Sequence, residues 1–197
     1  METKSSLLRG EEGVTLRRVA SFEEFDPLFP LYEMAFPQEE RRDRDSFSEV
    51  FLDTHAEFWF VEQRGEVQGF LNTWRFEECL YGEHFAVFPE ARGKRIGEHA
   101  LRVVLEHERL PILIEIEPPE DEIKMRRKAF YERMGLRVVS TTYQQPPYAK
   151  GGLGLPLYLM SNHEGLHGER LSAALRSLAY HVYRGADVEA MMGGCKE

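Results

Sequence analysis

The sequence predicts one mixed α+β domain, a central sheet flanked by helices, with an added C-terminal helix. Three observations carry this expectation. Segments alternating with the strand period are interleaved with segments of helical period. The run Ile112-Leu113-Ile114-Glu115-Ile116 is dense enough in apolar residues to be a buried strand. The chain has 197 residues, 42% hydrophobic and 30% charged, which is ample for one core and excludes a wholly disordered chain.

The elements follow in order. Residues 1–12 are polar and are expected to form a loose tail. Gly13 to Val19 reads as a first strand with charged residues interspersed. Ser21-Phe22-Glu23-Glu24 is a capping box, and the helix it starts must be distorted by Pro27 and Pro30. Pro37 to Asp45 reads as a loop and Ser46 to Leu52 as a short helix. Glu57 to Gln63 and Val67 to Phe76 are two strands joined by a hairpin turn at Arg64-Gly65-Glu66, and Tyr81 to Phe88 is a further strand.

Ile96, Ala100, Leu101, Val104 and Leu105 form one apolar face of a helix over Ile96 to Glu108, which Pro111 stops before the Ile112 strand. A second helix covers Ile123 to Met134 and ends at Gly135, a natural left-handed cap. Leu136 to Tyr143 and Leu155 to Ser161 close the sheet, so the domain spans 13–162. Within 163–197, Leu171, Leu175, Leu178 and Val182 mark an amphipathic helix that packs back on the domain or on a second subunit; the end from Gly185, including the Cys195 thiol, is expected to fray.

Composition narrows the function. The net charge of −9 argues against a nucleic-acid binder, whose phosphate contacts need a basic face, and favours cationic small molecules or basic peptides. Cys79 and Cys195 have neither metal-ligand nor disulfide spacing, so no metal is expected and a reducing cytoplasm is the simplest compartment. No apolar run approaches the roughly 20 residues of a membrane span.

The most informative segment is Phe85-Ala86-Val87-Phe88-Pro89-Glu90-Ala91-Arg92-Gly93-Lys94-Arg95-Ile96-Gly97, where a strand enters a glycine-containing loop that opens onto a helix. A helix start offers unpaired N–H groups and partial positive charge to phosphate oxygens. Arg92, Lys94 and Arg95 add cations; a solvated basic helix start is the alternative. The segment lacks the Gly-Lys-Ser/Thr of a P-loop and the dinucleotide G-x-G-x-x-G.

Arg92 to Gly97 resembles the pyrophosphate loop Arg/Gln-x-x-Gly-x-Gly/Ala of the GCN5-related N-acetyltransferases, with Arg95 standing where that family usually has its middle glycine. Further on, Phe130-Tyr131-Glu132-Arg133-Met134-Gly135-Leu136 is similar to the family's second signature. The resemblance covers Val14 to Asn162 and implies a splayed central sheet, the acyl-CoA N-acyltransferase fold, with acetyl-CoA as cosubstrate.

It also implies roles. Backbone groups of Phe85, Ala86 and Val87 lie along the pantetheine, with the Val87 N–H polarising the thioester carbonyl, and Arg92, Gly93, Lys94, Arg95, Ile96 and Gly97 hold the pyrophosphate. Tyr131 corresponds to the residue that protonates the departing thiolate; plain packing is its other role. Many relatives have an asparagine seven residues before this tyrosine, where Lys124 stands here.

A protonated acceptor amine needs a base. Glu83, on the same strand face as Val87, and Glu115 are equal candidates, and His84 points the other way and is structural. Glu117 shares a face with Glu115 and belongs to an acidic rim, Glu115 to Glu122, that suits a cationic amine or is merely solvated. Tyr143 and Tyr148 flank a proline-stiffened loop expected near the acceptor mouth, followed by a flexible connector, Lys150 to Gly154. The expectation is an N-acetyltransferase acting on a small-molecule or peptide amine, with a homodimer as a possible assembly; the alternative is a non-catalytic acyl-CoA sensor or scaffold.

Overall fold

The structure is a computed structural model that describes residues 6–149 and 151–193. Lys150 of the expected connector and Cys195 lie outside the described residues.

In chain order the elements are β1 (Leu7–Arg9), β2 (Val14–Arg18), α1 (Phe22–Phe25), α2 (Phe29–Ala35), α3 (Arg44–Val50), β3 (Ala56–Gln63), β4 (Glu66–Arg75), β5 (Leu80–Val87), α4 (Ile96–His107), β6 (Ile112–Ile116), α5 (Glu122–Arg133), β7 (Arg137–Ser140), β8 (Gln144–Gln145), β9 (Leu155–Pro156), β10 (Tyr158–Ser161), α6 (Gly168–Ser177) and α7 (Val188–Met191). This is the mixed α+β architecture the sequence predicts, with a large sheet and flanking helices. Two compact units divide the chain: Met1–Gln38, Asp43–Trp74 and Gly82–Arg109 form the first, and Glu39–Arg42, Arg75–Tyr81 and Leu110–Glu197 the second.

In the first unit the strands lie in the order β1-β2-β3-β4-β5. Within the segment expected to be loose, Leu7–Arg9 instead pairs antiparallel with β2, Leu8 opposite Leu16. Three residues carry too short a pattern to read as a strand alone. The hairpin turn after β3 is as expected, with Arg64 and Gly65 both at positive φ. Ser21 Oγ caps α1 by accepting from the Glu24 N–H, and Pro27 and Pro30 divide the following helix into α1, a 3₁₀ turn and α2. Asp43 caps α3 by accepting from the Ser46 N–H at 2.8 Å, which starts that helix two residues before the expected Ser46. The core is aromatic: Phe25 meets Phe47 and Phe70 at 5.1 Å between ring centroids, and Phe51 stacks on Phe58 at 3.8 Å. Helix α4 buries Ile96, Ala100, Val103 and Val104 and packs on β2.

In the second unit the first residues of β5 are followed by β6, β10 and β7. The Leu80 N–H donates to Pro111 O at 2.8 Å, and β6 pairs antiparallel with β10, Ile114 opposite Met160. The long strand expected over Leu136 to Tyr143 is broken. After β7 the chain turns, the Thr142 N–H donating to Ser140 Oγ at 3.3 Å, and β8 pairs with β9 in a separate ribbon. Asp121 caps α5, and Gly135 at φ +90° ends it. The C-terminal helix packs on its own chain: Leu175, Leu178 and Val182 are buried, and buried Arg42 donates to Val182 O at 2.8 Å. The expected frayed end carries α7, capped by Asp187, whose Oδ1 accepts from the Glu189 N–H at 2.9 Å. No helix among the described residues is long and apolar enough to cross a membrane.

Candidate active site

In the first unit the end of β5 is shaped by a bulge in β4. Val61 faces Gly69 while the next residue, Glu62, faces Val67, so Gln68 is the extra residue. The Gln68 carbonyl accepts from the Phe88 N–H at 2.9 Å. Gly69 then lies so close to β5 that a Cβ on it would overlap the Ala86 carbonyl and sit 2.8 Å from Val87 Cα. The backbone of Ala86 and Val87 is thereby held by a position only glycine can fill.

Past Val87, Pro89–Ala91 makes a 3₁₀ turn and the loop reaches α4. Gly93 has φ +76°, with nothing within 4 Å of where a Cβ would stand. Arg95 is the N-cap of α4 at φ +60°, ψ +12°, and its side chain gives the helix no cap hydrogen bond. The left-handed backbone explains why a glycine suits this place. The first N–H groups of α4 have no acceptor within the helix. Buried Ile96 fixes the helix start, and Arg92, Gly93, Lys94 and Arg95 are exposed. The Arg95 guanidinium turns to Glu98, 2.7 Å away, which also accepts from Arg102 at 3.0 Å; the two cations hold the Glu98 carboxyl down at about 2. Arg95 is therefore already paired, which leaves Arg92 and Lys94 as the cations facing solvent.

Glu83, on β5, has a fully buried side chain. Its Oε2 accepts from Trp74 Nε1 at 2.6 Å, and the Asn72 amide, oriented to satisfy both of its ends, brings its nitrogen within 2.5 Å of the same oxygen. His84 packs its ring against those of Tyr32 and Phe36 at 4.9 and 4.6 Å, the structural place expected for it, but it does not turn wholly away from Glu83: its Nδ1 lies 3.8 Å from Glu83 Oε2.

In the second unit Glu115 stands mid-β6 inside a ring of donors. Its Oε1 accepts from the Tyr143 hydroxyl, its Oε2 from Gln145 Nε2 at 2.6 Å, and the Tyr183 hydroxyl lies 3.0 and 3.1 Å from its two oxygens. Tyr81 closes the ring, its hydroxyl 3.1 Å from that of Tyr183. The residue keeps some exposed surface, but the carboxylate itself is enclosed. Burial pushes it up to about 7, against the pull of the four hydrogen-bonding side chains. Among the described residues it has no ion-pair partner. The same burial and the Glu115 charge push the phenols of Tyr81 and Tyr143 well above 10.

The other expected residues lie in the same unit. Tyr143 is buried and bonded to Glu115, while Tyr148 is partly exposed, its ring 5.4 Å from that of Tyr183 and beneath the Arg42 guanidinium at 4.4 Å. Glu117 does not join Glu115 but pairs with Arg127 of α5. Tyr131, on α5, packs its ring on Phe130 at 5.1 Å, and burial raises its phenol above 10 against the opposing charge of Arg127. Lys124 sits 3.9 Å from Glu120 and 3.8 Å from Asp121.

Sequence reasoning gave no role to Gly69, Tyr81, Gln145 or Tyr183. For Gly69 the signal was present, since an isolated glycine inside a strand pattern marks a bulge or a close backbone approach. For the others none was available: Tyr183 lies 68 residues from Glu115 and outside the resembling segment.

Comparison with known proteins agrees with the fold. The profile of the acetyltransferase (GNAT) family matches residues 21–136. No curated protein sequence matches the chain. A putative GNAT-family acetyltransferase from Bacteroides thetaiotaomicron superposes with a TM-score of 0.78 at 28% identity, over 87% of this chain and 99% of its own. At fold level only, Arabidopsis thaliana Naa50, solved with the bisubstrate analogue CoA-Ac-MVNAL, matches with a TM-score of 0.55 at 15% identity, over 77% of this chain and 99% of its own. The spermidine N-acetyltransferase SpeG chimera from Vibrio cholerae and hSSAT has the same score and identity, over 76% of this chain and 94% of its own. With the profile spanning more than half of its length, the chain belongs to the acetyltransferase (GNAT) family.

Proposed function

We propose that the protein is an acetyl-CoA-dependent N-acetyltransferase that acetylates a primary amine by direct attack in a ternary complex. Beyond family membership, the observation that carries this reading is Glu115, a carboxylate raised to about 7 with no counter-cation among the described residues. A base of that pKa is half ionised at neutral pH and matched to deprotonating an ammonium group. Glu83, whose side chain is fully buried among Trp74, Asn72 and His84, is assigned a structural part.

The loop fits a pyrophosphate: Gly93 leaves open space, the α4 N-terminus lacks a side-chain cap, and Arg92 and Lys94 face solvent. Bound acetyl-CoA supplies an acetyl group activated as a thioester. In this reading the Val87 N–H polarises the thioester carbonyl, an effect of about 3 kcal/mol for one preorganised donor. Phe85 and Ala86 lend backbone to the pantetheine. Tyr131, whose raised pKa keeps it protonated, gives its proton to the leaving sulfur. Tyr148 faces the acceptor, a small-molecule or peptide amine of cationic character, with Glu117, held in its pair with Arg127, on the same acidic rim.

The sensor reading rests on Arg95 and Lys124. Arg95 adopts the backbone a glycine would have, which removes half of that ground. The test is to mix the protein with acetyl-CoA and a panel of polyamines, amino acids and peptides, and to follow free thiol. Thiol release with a cationic amine, falling about 10²-fold in Glu115→Gln, is expected. Acetyl-CoA binding without release across the panel would establish the sensor instead.

A further inference from the structure

The C-terminal segment lies outside the family profile, which ends at residue 136, yet it supplies a direct hydrogen bond to the proposed base. Tyr183 reaches both Glu115 oxygens and receives a hydroxyl contact from Tyr81. A phenol carries one proton, so when Tyr183 donates to Glu115 its oxygen can only accept from Tyr81. The chain Tyr81 → Tyr183 → Glu115 therefore runs one way while Glu115 is ionised. Tyr81 is fully buried and Tyr183 is 8% exposed, so water does not readily replace either hydroxyl.

The segment is itself fastened. The Tyr183 N–H donates to Leu178 O at 3.1 Å, Gly185 and Ala186 both donate to Ala179 O, and Arg42 holds Val182 O. The Arg42 guanidinium also lies over Tyr148, whose ring faces that of Tyr183. On the far side, a Cβ on Gly193 would overlap the Thr142 carbonyl, one residue before Tyr143. The tail thus packs directly against the loop that carries a second Glu115 donor.

We infer that Tyr183 is a positioning residue that orients the Glu115 carboxylate for proton abstraction, which makes the C-terminal extension part of the active-site machinery. This rests on the reading of Glu115 as the base. The groups facing that carboxylate are Tyr81 from β5, Tyr143 and Gln145 from the loop and β8, and Tyr183 from the tail, with Tyr148 and Arg42 behind them. Each hydrogen bond favours the ionised form, so removing one raises the carboxyl pKa. Gln145 completes the device. Its Oε1 is buried without a hydrogen-bond partner, so rotating the amide sacrifices no bond at that oxygen and presents an acceptor to protonated Glu115.

The experiment compares the full chain with Tyr183→Phe and Glu115→Gln, using ¹³C-carboxyl-labelled glutamate and kcat/KM against pH. The Glu115 resonance is assigned by its loss in Glu115→Gln. In Tyr183→Phe the titration midpoint should rise above about 7 by half a unit or more. The acid limb of kcat/KM should move by the same amount, with the KM for acetyl-CoA unchanged. An unmoved midpoint in a folded Tyr183→Phe overturns the inference. A midpoint that moves while the acid limb stays overturns the role in the reaction, and retained activity in Glu115→Gln then identifies the base assignment as what failed. Should Tyr183→Phe not fold, Arg42→Lys, which loosens Val182 and Tyr148, must shift the same resonance for the inference to stand.

Discussion

Gly69 and Val87 are packed backbone to backbone, with only 2.8 Å between Val87 Cα and the place a Gly69 Cβ would occupy. Gly69→Ala must push the end of β5 away. Overpacking of this kind costs about 1–3 kcal/mol. Denaturant unfolding should show that loss, and acetyl-CoA affinity should fall with it, because the displaced residues precede the proposed phosphate loop. Full stability with unchanged affinity would mean that the bulge at Gln68 absorbs the methyl group.

Acetyl-CoA should raise the melting temperature, since a ligand that binds only the native state stabilises it by mass action. Gly93→Asp should abolish that shift by setting a carboxylate against the phosphates. Gly93→Asn is the control: it tolerates the same φ of +76° without the charge and should keep most of the shift. Equal shifts in all three proteins would put the phosphate site elsewhere.

Arg95 offers a second handle on the same loop. Arg95→Gly keeps the left-handed backbone and should preserve acetyl-CoA affinity, measured by calorimetry. Arg95→Val cannot hold φ +60° without strain and should weaken it. If both variants lose affinity equally, the guanidinium rather than the backbone conformation is what the cofactor needs.

Tyr131→Phe removes one hydroxyl and keeps the ring on Phe130. Stability should change by no more than ~1 kcal/mol, while turnover falls ~10²-fold and acetyl-CoA affinity holds. The fall should be smaller for acyl donors whose thiol is more acidic, because such a leaving group barely needs a proton. Normal turnover would return Tyr131 to packing.

Glu115 also leaves a mark on stability. Its folded pKa of about 7 exceeds the ordinary 4.5, so the folded protein holds a proton that the unfolded chain has released between those values. The stabilisation is full below pH 4.5, is lost as pH rises through the window, and is gone above 7, an effect of about 3 kcal/mol at most. Chemical unfolding between pH 4.5 and 8 should show this slope, and Glu115→Gln should flatten it. Parallel slopes in the two proteins would show that the carboxylate is solvated.

Local chemistry made much of this legible. Ser21 announced its cap, Arg64-Gly65 its hairpin, Gly135 its stop, and Arg92 to Gly97 its loop, because each acts within a few residues of itself. The Glu115 ring was illegible for the opposite reason. Tyr81, Tyr143 and Tyr183 meet through tertiary packing, and an isolated tyrosine has no period to betray which group its hydroxyl will find. The break between β7 and β8 was hidden too, since Arg137 to Tyr143 has strand-like composition throughout and the turn at Ser140 depends on a hydroxyl accepting from Thr142.

Between α6 and Tyr183 the helix widens into a π turn over Leu178–Val182. Each residue of an α-helix advances about 100° around the axis, so one residue more or fewer in this stretch re-aims everything beyond it. Deleting a single codon there would restore the ordinary repeat and swing the Tyr183 hydroxyl off Glu115 without altering any residue of the ring. Chain length in this turn is thus itself a heritable variable of the site, and related sequences that keep every tyrosine but lack the extra residue would carry the ring unassembled.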